Sequence, residues 1–96
     1  MASLYVNLQD GFADDLVVVR VNGTEAFRKE GVRTSLLRGY ADSFQTQIAG
    51  GPANVEVIVP SRNLSKNITV RKPYLGISIL EDDVDYIERG EPFGYL

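Results

Sequence analysis

The stretch Leu16-Val17-Val18-Val19-Arg20-Val21-Asn22-Gly23-Thr24-Glu25-Ala26-Phe27 decides the fold. From Leu16 to Val21 an extended chain is apolar on both faces, which is the pattern of a central strand covered on two sides. Asn22-Gly23 directly behind it is the strongest short hairpin signal, because both residues tolerate positive φ. A two-residue turn at that point fixes the register. It predicts Val21 opposite Thr24, Arg20 opposite Glu25, Val19 opposite Ala26 and Val18 opposite Phe27. Opposite charges, and a β-branched side chain against an aromatic one, then face each other across the ladder.

Working outward, period-two alternation continues in both directions. Toward the N-terminus, Leu4, Val6 and Leu8 alternate with Tyr5, Asn7 and Gln9, and Asp10-Gly11 with Asp14-Asp15 marks a loop. Toward the C-terminus, Gly31 is expected to break the chain after Glu30, with a short strand over Val32 to Leu37. Val55, Val57 and Val59 alternate with Asn54, Glu56 and Ile58 between Gly50-Gly51-Pro52 and Pro60-Ser61. Lys66 to Arg71 puts Ile68 and Val70 on one face. Tyr74 to Leu80 sets Leu75, Ile77 and Ile79 opposite Gly76, Ser78 and Leu80, and Val84 to Glu88 returns after an acidic turn.

One segment supports two readings. Leu36, Leu37, Tyr40, Ala41, Phe44 and Ile48 form a helical stripe, with Ser35 as an N-cap and Gly50-Gly51 as a stop. Against the helix, Gly39 in its interior costs about 1 kcal/mol relative to Ala. Phe44, Thr46 and Ile48 also alternate cleanly with Ser43, Gln45 and Gln47, so the favoured reading is a strand from Ser43 to Ala49. The expected fold is all-β, one domain over residues 1–96, a small antiparallel β-sandwich. The alternative is an α+β fold with one helix near residues 36–48. On strand count, strand spacing and the hairpin, the architecture resembles immunoglobulin-like and fibronectin-type sandwiches. The Cys, Trp, Cys framework of antibody domains is missing, so the resemblance carries over no functional residue.

Composition narrows the chemistry. The 96 residues are 44% hydrophobic and 24% charged, within the range of one globular domain. No cysteine and no histidine are present, which removes thiolate chemistry, the commonest metal ligand and the commonest general base. No G-x-S-x-G, phosphate-binding loop or dinucleotide fingerprint occurs. The expectation is therefore a non-enzyme without a cofactor. A net charge of -3 repels a phosphate backbone, so nucleic acid is not an expected partner. Without a signal-peptide pattern or a long apolar run, a membrane is not expected either, and a cytoplasmic location is. Asn22-Gly23-Thr24, Asn63-Leu64-Ser65 and Asn67-Ile68-Thr69 match the glycosylation pattern, but without a signal-peptide pattern turn composition is the better explanation.

Four sets of residues are candidate sites. Acidic loops at Asp10, Asp14, Asp15, Glu81, Asp82, Asp83 and Asp85 suggest calcium. A crossover connection would bring Asp42 to the same end as Asp82 and Asp83, making those three the calcium candidates. The plainer account is that Asp sits in turns because its side chain bonds nearby N–H groups. Tyr5, Tyr40, Tyr74, Tyr86 and Tyr95 could stack on sugar rings, or could simply fill and rim a small core. Arg62, Lys66, Arg71 and Lys72 could meet an acidic partner, or could protect an edge strand. Phe93, Tyr95 and Leu96 place apolar side chains at a terminus that usually frays. They are interface candidates, packing on their own sandwich as a last edge strand or on a second copy in a homodimer. Together these readings give a binding or structural module that contacts another protein or itself, with a calcium- or carbohydrate-binding sandwich as the alternative.

Overall fold

A computed structural model describes residues 2–94 and folds them into eight strands. These are β1 (Ala2–Leu8), β2 (Ala13–Val21), β3 (Thr24–Arg33), β4 (Asp42–Ile48), β5 (Ala53–Val59), β6 (Leu64–Val70), β7 (Tyr74–Ile79) and β8 (Val84–Arg89), with a single 3-10 turn at Pro60–Arg62. They form two four-stranded sheets in the orders β4-β1-β7-β8 and β3-β2-β5-β6. The chain is a small β-sandwich. Its core comes from the alternation read in the sequence: Leu4, Val6 and Leu8 of β1 meet Val17 and Val19 of β2, Val55, Val57 and Val59 of β5, and Leu75 and Ile77 of β7, all fully buried. At about 25 cal/mol per Å² of buried apolar surface, this layer is the principal stabilising term.

Every pairing is antiparallel except that of β1 with β7, which is parallel over Tyr5↔Tyr74 to Leu8↔Ile77. The all-antiparallel expectation is corrected there, because strand direction depends on how the chain crosses between sheets and not on local pattern. The strand order is also particular to this chain. β2 and β3 lie in one sheet, whereas the antibody constant fold places its second and third strands in opposite sheets.

The Asn22-Gly23 hairpin forms with both turn residues at positive φ, 52° and 83°. Val21↔Thr24 and Arg20↔Glu25 pair as the turn dictates. Beyond them the expected register fails, since Val19 pairs with Phe27 and Val18 with Arg28. A bulge at Ala26 moves Phe27 from the outer face to the core face, where it packs against the core and stacks on Phe44 at 4.8 Å. Gly31 likewise does not end a strand. At φ 67° it lets β3 bulge and continue to Arg33, burying Val32 to 2% exposure. No strand follows over residues 34–37, and the helix near residues 36–48 is absent. Residues 34–41 form turns, Gly39 has φ 82°, and β4 presents Phe44 and Ile48 to the core side while exposing Ser43, Gln45 and Gln47.

Each open side of the sandwich has a contact across it. Phe27 on Phe44, with Lys29 Nζ 2.7 Å from Asp42 Oδ2, joins β3 to β4. On the other side, Lys66 of the edge strand β6 points inward and reaches Asp83 in the β7–β8 turn at 3.4 Å. An inward-pointing charge of this kind discourages pairing of a further strand, as expected for the basic residues near β6.

Candidate functional site

The connections sort into two ends. Residues 9–12, 34–41, 60–63 and 80–83 meet at one end. The tight connections 22–23, 49–52 and 71–73 lie at the other. The first end is held by a buried ion pair. Asp15, only 3% exposed, accepts bonds from Arg62 Nε at 3.1 Å and Nη2 at 2.9 Å, from the Ser61 hydroxyl at 2.9 Å and from the Ala13 amide at 2.9 Å. Arg62 Nη2 also donates to the Gly11 carbonyl at 2.8 Å. Burial pushes the Asp15 carboxyl up. The bonds from Arg62, Ala13 and Ser61 and the guanidinium charge together outweigh it and hold the carboxyl below its ordinary value. Arg62, one of the four basic candidates, is therefore engaged inside its own fold.

The calcium candidates share this end but not one place on it. Asp42 opens β4 and Asp82 and Asp83 precede β8, so β1 and β7 lie between them. At about 4.8 Å per strand this is a separation of roughly 14 Å. Asp42 is paired with Lys29 and accepts the Ser43 amide at 2.8 Å. Asp83 accepts the Val84 amide at 2.7 Å, and that bond with nearby Lys66 lowers its pKa. Among the described residues no group of three or more acidic side chains could hold a metal ion.

The tyrosines behave differently. Parallel pairing sets Tyr5 directly beside Tyr74 on the outer face of the β4-β1-β7-β8 sheet, and their rings stack at 4.8 Å with 12° between planes. Tyr40 and Phe93 join them around a cleft of about 580 Å³ whose polar lining is Asn7, Ser43 and Gln45. Gly76 keeps this face low. The Gln9 amide lies over it, and a Cβ there would come within 2.7 Å of that side chain. Tyr86 stands apart on β8, its ring 5.8 Å from Lys66 Nζ.

Among the described residues the tail adds no ninth strand. Phe93 lies under the Arg89 guanidinium at 5.4 Å and lines the tyrosine cleft with Pro92, while Gly94 reaches the groove beside Asp10 and Leu36. The described tail thus runs back across the outer face. Tyr95 and Leu96, the other interface candidates, lie outside the described residues.

Sequence reasoning missed one feature. Leu36 and Leu37 are 98% and 92% exposed at the tip of the 34–41 connection. The tip is braced: Ser35 N–H donates to the Tyr40 carbonyl at 3.1 Å, Gly39 N–H to the Ser35 carbonyl at 2.9 Å, and Arg38 N–H to the Ser35 hydroxyl at 3.2 Å. The Thr34 hydroxyl anchors its base, donating to the Gln9 carbonyl at 2.7 Å and accepting the Phe12 amide at 3.1 Å. A signal was present in the sequence. Ser35 and Gly39 bracket a turn, so Leu36-Leu37-Arg38 need not belong to any periodic element.

No family model, curated protein or solved structure matches this chain. Among the described residues no helix is long and apolar enough to cross a membrane.

Proposed function

We propose that this domain is a non-enzymatic binding module that contacts another protein or a copy of itself through the 34–41 tip. One observation carries the reading: two adjacent leucines stand almost wholly in water on a braced turn. Burying each would gain roughly 1.5–3 kcal/mol, and a preformed turn has little ordering entropy left to lose on binding. The residue inventory, without histidine or cysteine, supports the absence of catalysis. The test is a photo-crosslinking side chain at position 37 in cells of the native host, with the same group at exposed Thr69 on β6 as control. A discrete polypeptide adduct specific to position 37 is the expected outcome. Equal labelling at both positions, or none, overturns the reading.

A second reading rests on the tyrosine cleft. The Tyr5–Tyr74 pair beside Asn7, Ser43 and Gln45 supplies an aromatic surface with amide and hydroxyl groups at its edge, which suits a neutral glycan. A thermal-shift panel of neutral sugars tests it. A bound sugar at about 100 times its Kd adds about 2.7 kcal/mol of stability, and Tyr74→Ala should abolish the shift.

A further inference from the structure

We propose that this chain forms a two-fold symmetric dimer through the free edge of β4. β4 of one copy pairs antiparallel with β4 of a second, joining two four-stranded sheets into one of eight strands. The contact uses a different surface from the 34–41 tip and does not depend on it.

An edge strand offers unpaired N–H and C=O groups to any other strand, and proteins guard such edges with charges, inward-pointing lysines or bulges. The sandwich has four edges, β3, β4, β6 and β8. Three of them are guarded. β3 carries Glu25, Arg28, Lys29 and Glu30 and shifts register against β2. β6 carries the inward-pointing Lys66, and β8 carries Asp85, Glu88 and Arg89. β4 has none of these devices. Ser43 to Ile48 holds no charge, no proline and no glycine, and β4 pairs with β1 in unbroken register from Asp42↔Leu8 to Ile48↔Ala2. Gln45 and Gln47 lean away from the free edge, because their amides donate to Ser3 Oγ on β1 at 3.2 and 3.0 Å. Among the described residues no backbone bond joins the outer side of β4 to another element.

The composition of this edge favours its own copy as the occupant. Centred on Gln45, an antiparallel pair of β4 strands uses the whole strand. On the outer face it sets Gln45 against Gln45 and Ser43 against Gln47, polar and uncharged throughout. On the inner face it sets Phe44 against Thr46, an aromatic side chain beside a β-branched one. Asp42, already paired with Lys29, falls opposite Ile48, so no like charges meet. Laid instead on β3, β6 or β8 of another molecule, the same strand would leave their charges facing uncharged side chains. A two-fold contact of this kind is isologous and closes at two copies. Main-chain hydrogen bonds supply its affinity, as in other strand additions, and its small area places it in the weak, concentration-dependent class.

Sedimentation velocity on the full chain from micromolar to millimolar concentration tests this. The parent should pass from monomer to dimer and stop there, at low and high salt alike. Gln45→Lys and Gln45→Glu each set like charges in direct opposition across the axis. Each alone should therefore dimerise several-fold more weakly than the parent, and their one-to-one mixture should recover the dimer. Thr46→Lys gives β4 the inward-pointing lysine that β6 carries and should stay monomeric. Thr46 borders a groove of about 280 Å³ beside Thr24 and Glu25, which leaves room for the longer side chain. An unchanged melting temperature checks this, and if it falls, the Gln45 variants alone decide. A parent that stays monomeric or grows past the dimer, charge variants or a folded Thr46→Lys that dimerise like the parent, or a mixture no tighter than its components overturns the inference. Leu36→Asp/Leu37→Asp should dimerise like the parent. If it does not, the interface lies at the tip, and the β4 contact fails while the tip reading stands. If the parent is monomeric and a photo-crosslinking side chain at position 47 labels only a different protein, a foreign strand takes the edge and the second copy is overturned as its occupant.

Discussion

The two ends of this sandwich are built on different principles. At one, the chain turns by local chemistry: Asn22-Gly23 supplies two positive φ values, and Gly50-Gly51-Pro52 supplies two more followed by a fixed φ. At the other, four connections are shaped by contacts between residues far apart in sequence. Asp15 meets Arg62, Thr34 meets Gln9 and Phe12, and Gly11 packs against Ile79. The Asn22-Gly23 turn has a distant partner too, since Asn22 N–H donates to the Asn54 carbonyl at 2.8 Å and the Asn22 side-chain oxygen accepts the Asn54 amide at 2.9 Å, but Gly23 itself has no neighbour, so damage there is limited to its backbone preference. An end assembled from distant partners loses several contacts when one of them is removed.

The largest effect is expected at the ion pair. Arg62→Ala leaves the Asp15 carboxylate buried without its cation and should destabilise by about 3–5 kcal/mol in urea unfolding. A loss below about 1 kcal/mol would place Arg62 with ordinary surface charges and erase the contrast between the ends. Because the folded pKa of Asp15 lies below its ordinary value of 3.8, its contribution is present above that value and disappears as pH falls through the lower, folded value. The parent should therefore lose stability relative to Asp15→Asn as pH drops below 3.8, with the difference constant at neutral pH.

Next comes Gly11→Ala. Gly11 has φ 88°, and an added Cβ would overlap the Ile79 carbonyl oxygen, so strain and steric conflict act together. A loss of about 2–4 kcal/mol is expected by thermal unfolding. Gly23→Val sharpens the comparison, because Gly23 has a similar φ of 83° but nothing within 4 Å of the Cβ position. Only the backbone penalty remains, about 1–2 kcal/mol. If Gly23→Val matched or exceeded Gly11→Ala, packing would not distinguish the ends. The smallest effect belongs to Glu25→Gln, which breaks the exposed pair with Arg28 at 2.8 Å. It should leave the urea midpoint where the parent has it, because an exposed pair is screened by water.

These differences follow how far the fold was legible in sequence. Strands β1, β2, β4, β5, β6 and β7 are legible to within a residue or three, because side-chain periodicity records the face each turns to the core, whereas β8, with only Val84 buried, is legible from the acidic turn before it. The hairpin turn was read as well. Its register was lost after two pairs, since the bulge at Ala26 answers to the position of Phe44 across the sandwich, which lies outside any local window. Gly31 reads as a terminator for the same reason: a positive φ looks alike whether it ends a strand or bends one.

The candidate surfaces divide in the same way. The tyrosines were noticed as a set, but their stacking depends on the parallel pairing of β1 with β7, and nothing in either strand announces its direction. Asp42, Asp82 and Asp83 were rightly suspected of sharing an end, yet β1 and β7 hold them apart. Leu36 and Leu37 were absorbed into helical and extended patterns because an apolar pair is ordinarily interior.

What the sequence determined by itself is the set of strands, their buried faces and the turn at Asn22-Gly23, since each depends on side-chain periodicity or on the φ that one or two residues can adopt. Which strands pair, which acid meets which base and which leucines are left in water was decided only by tertiary structure. Those outcomes depend on the crossing of the chain between two sheets, and pairings over 40 or more residues, such as Asp15 with Arg62 or Tyr5 with Tyr74, leave no trace in the pattern of either partner alone.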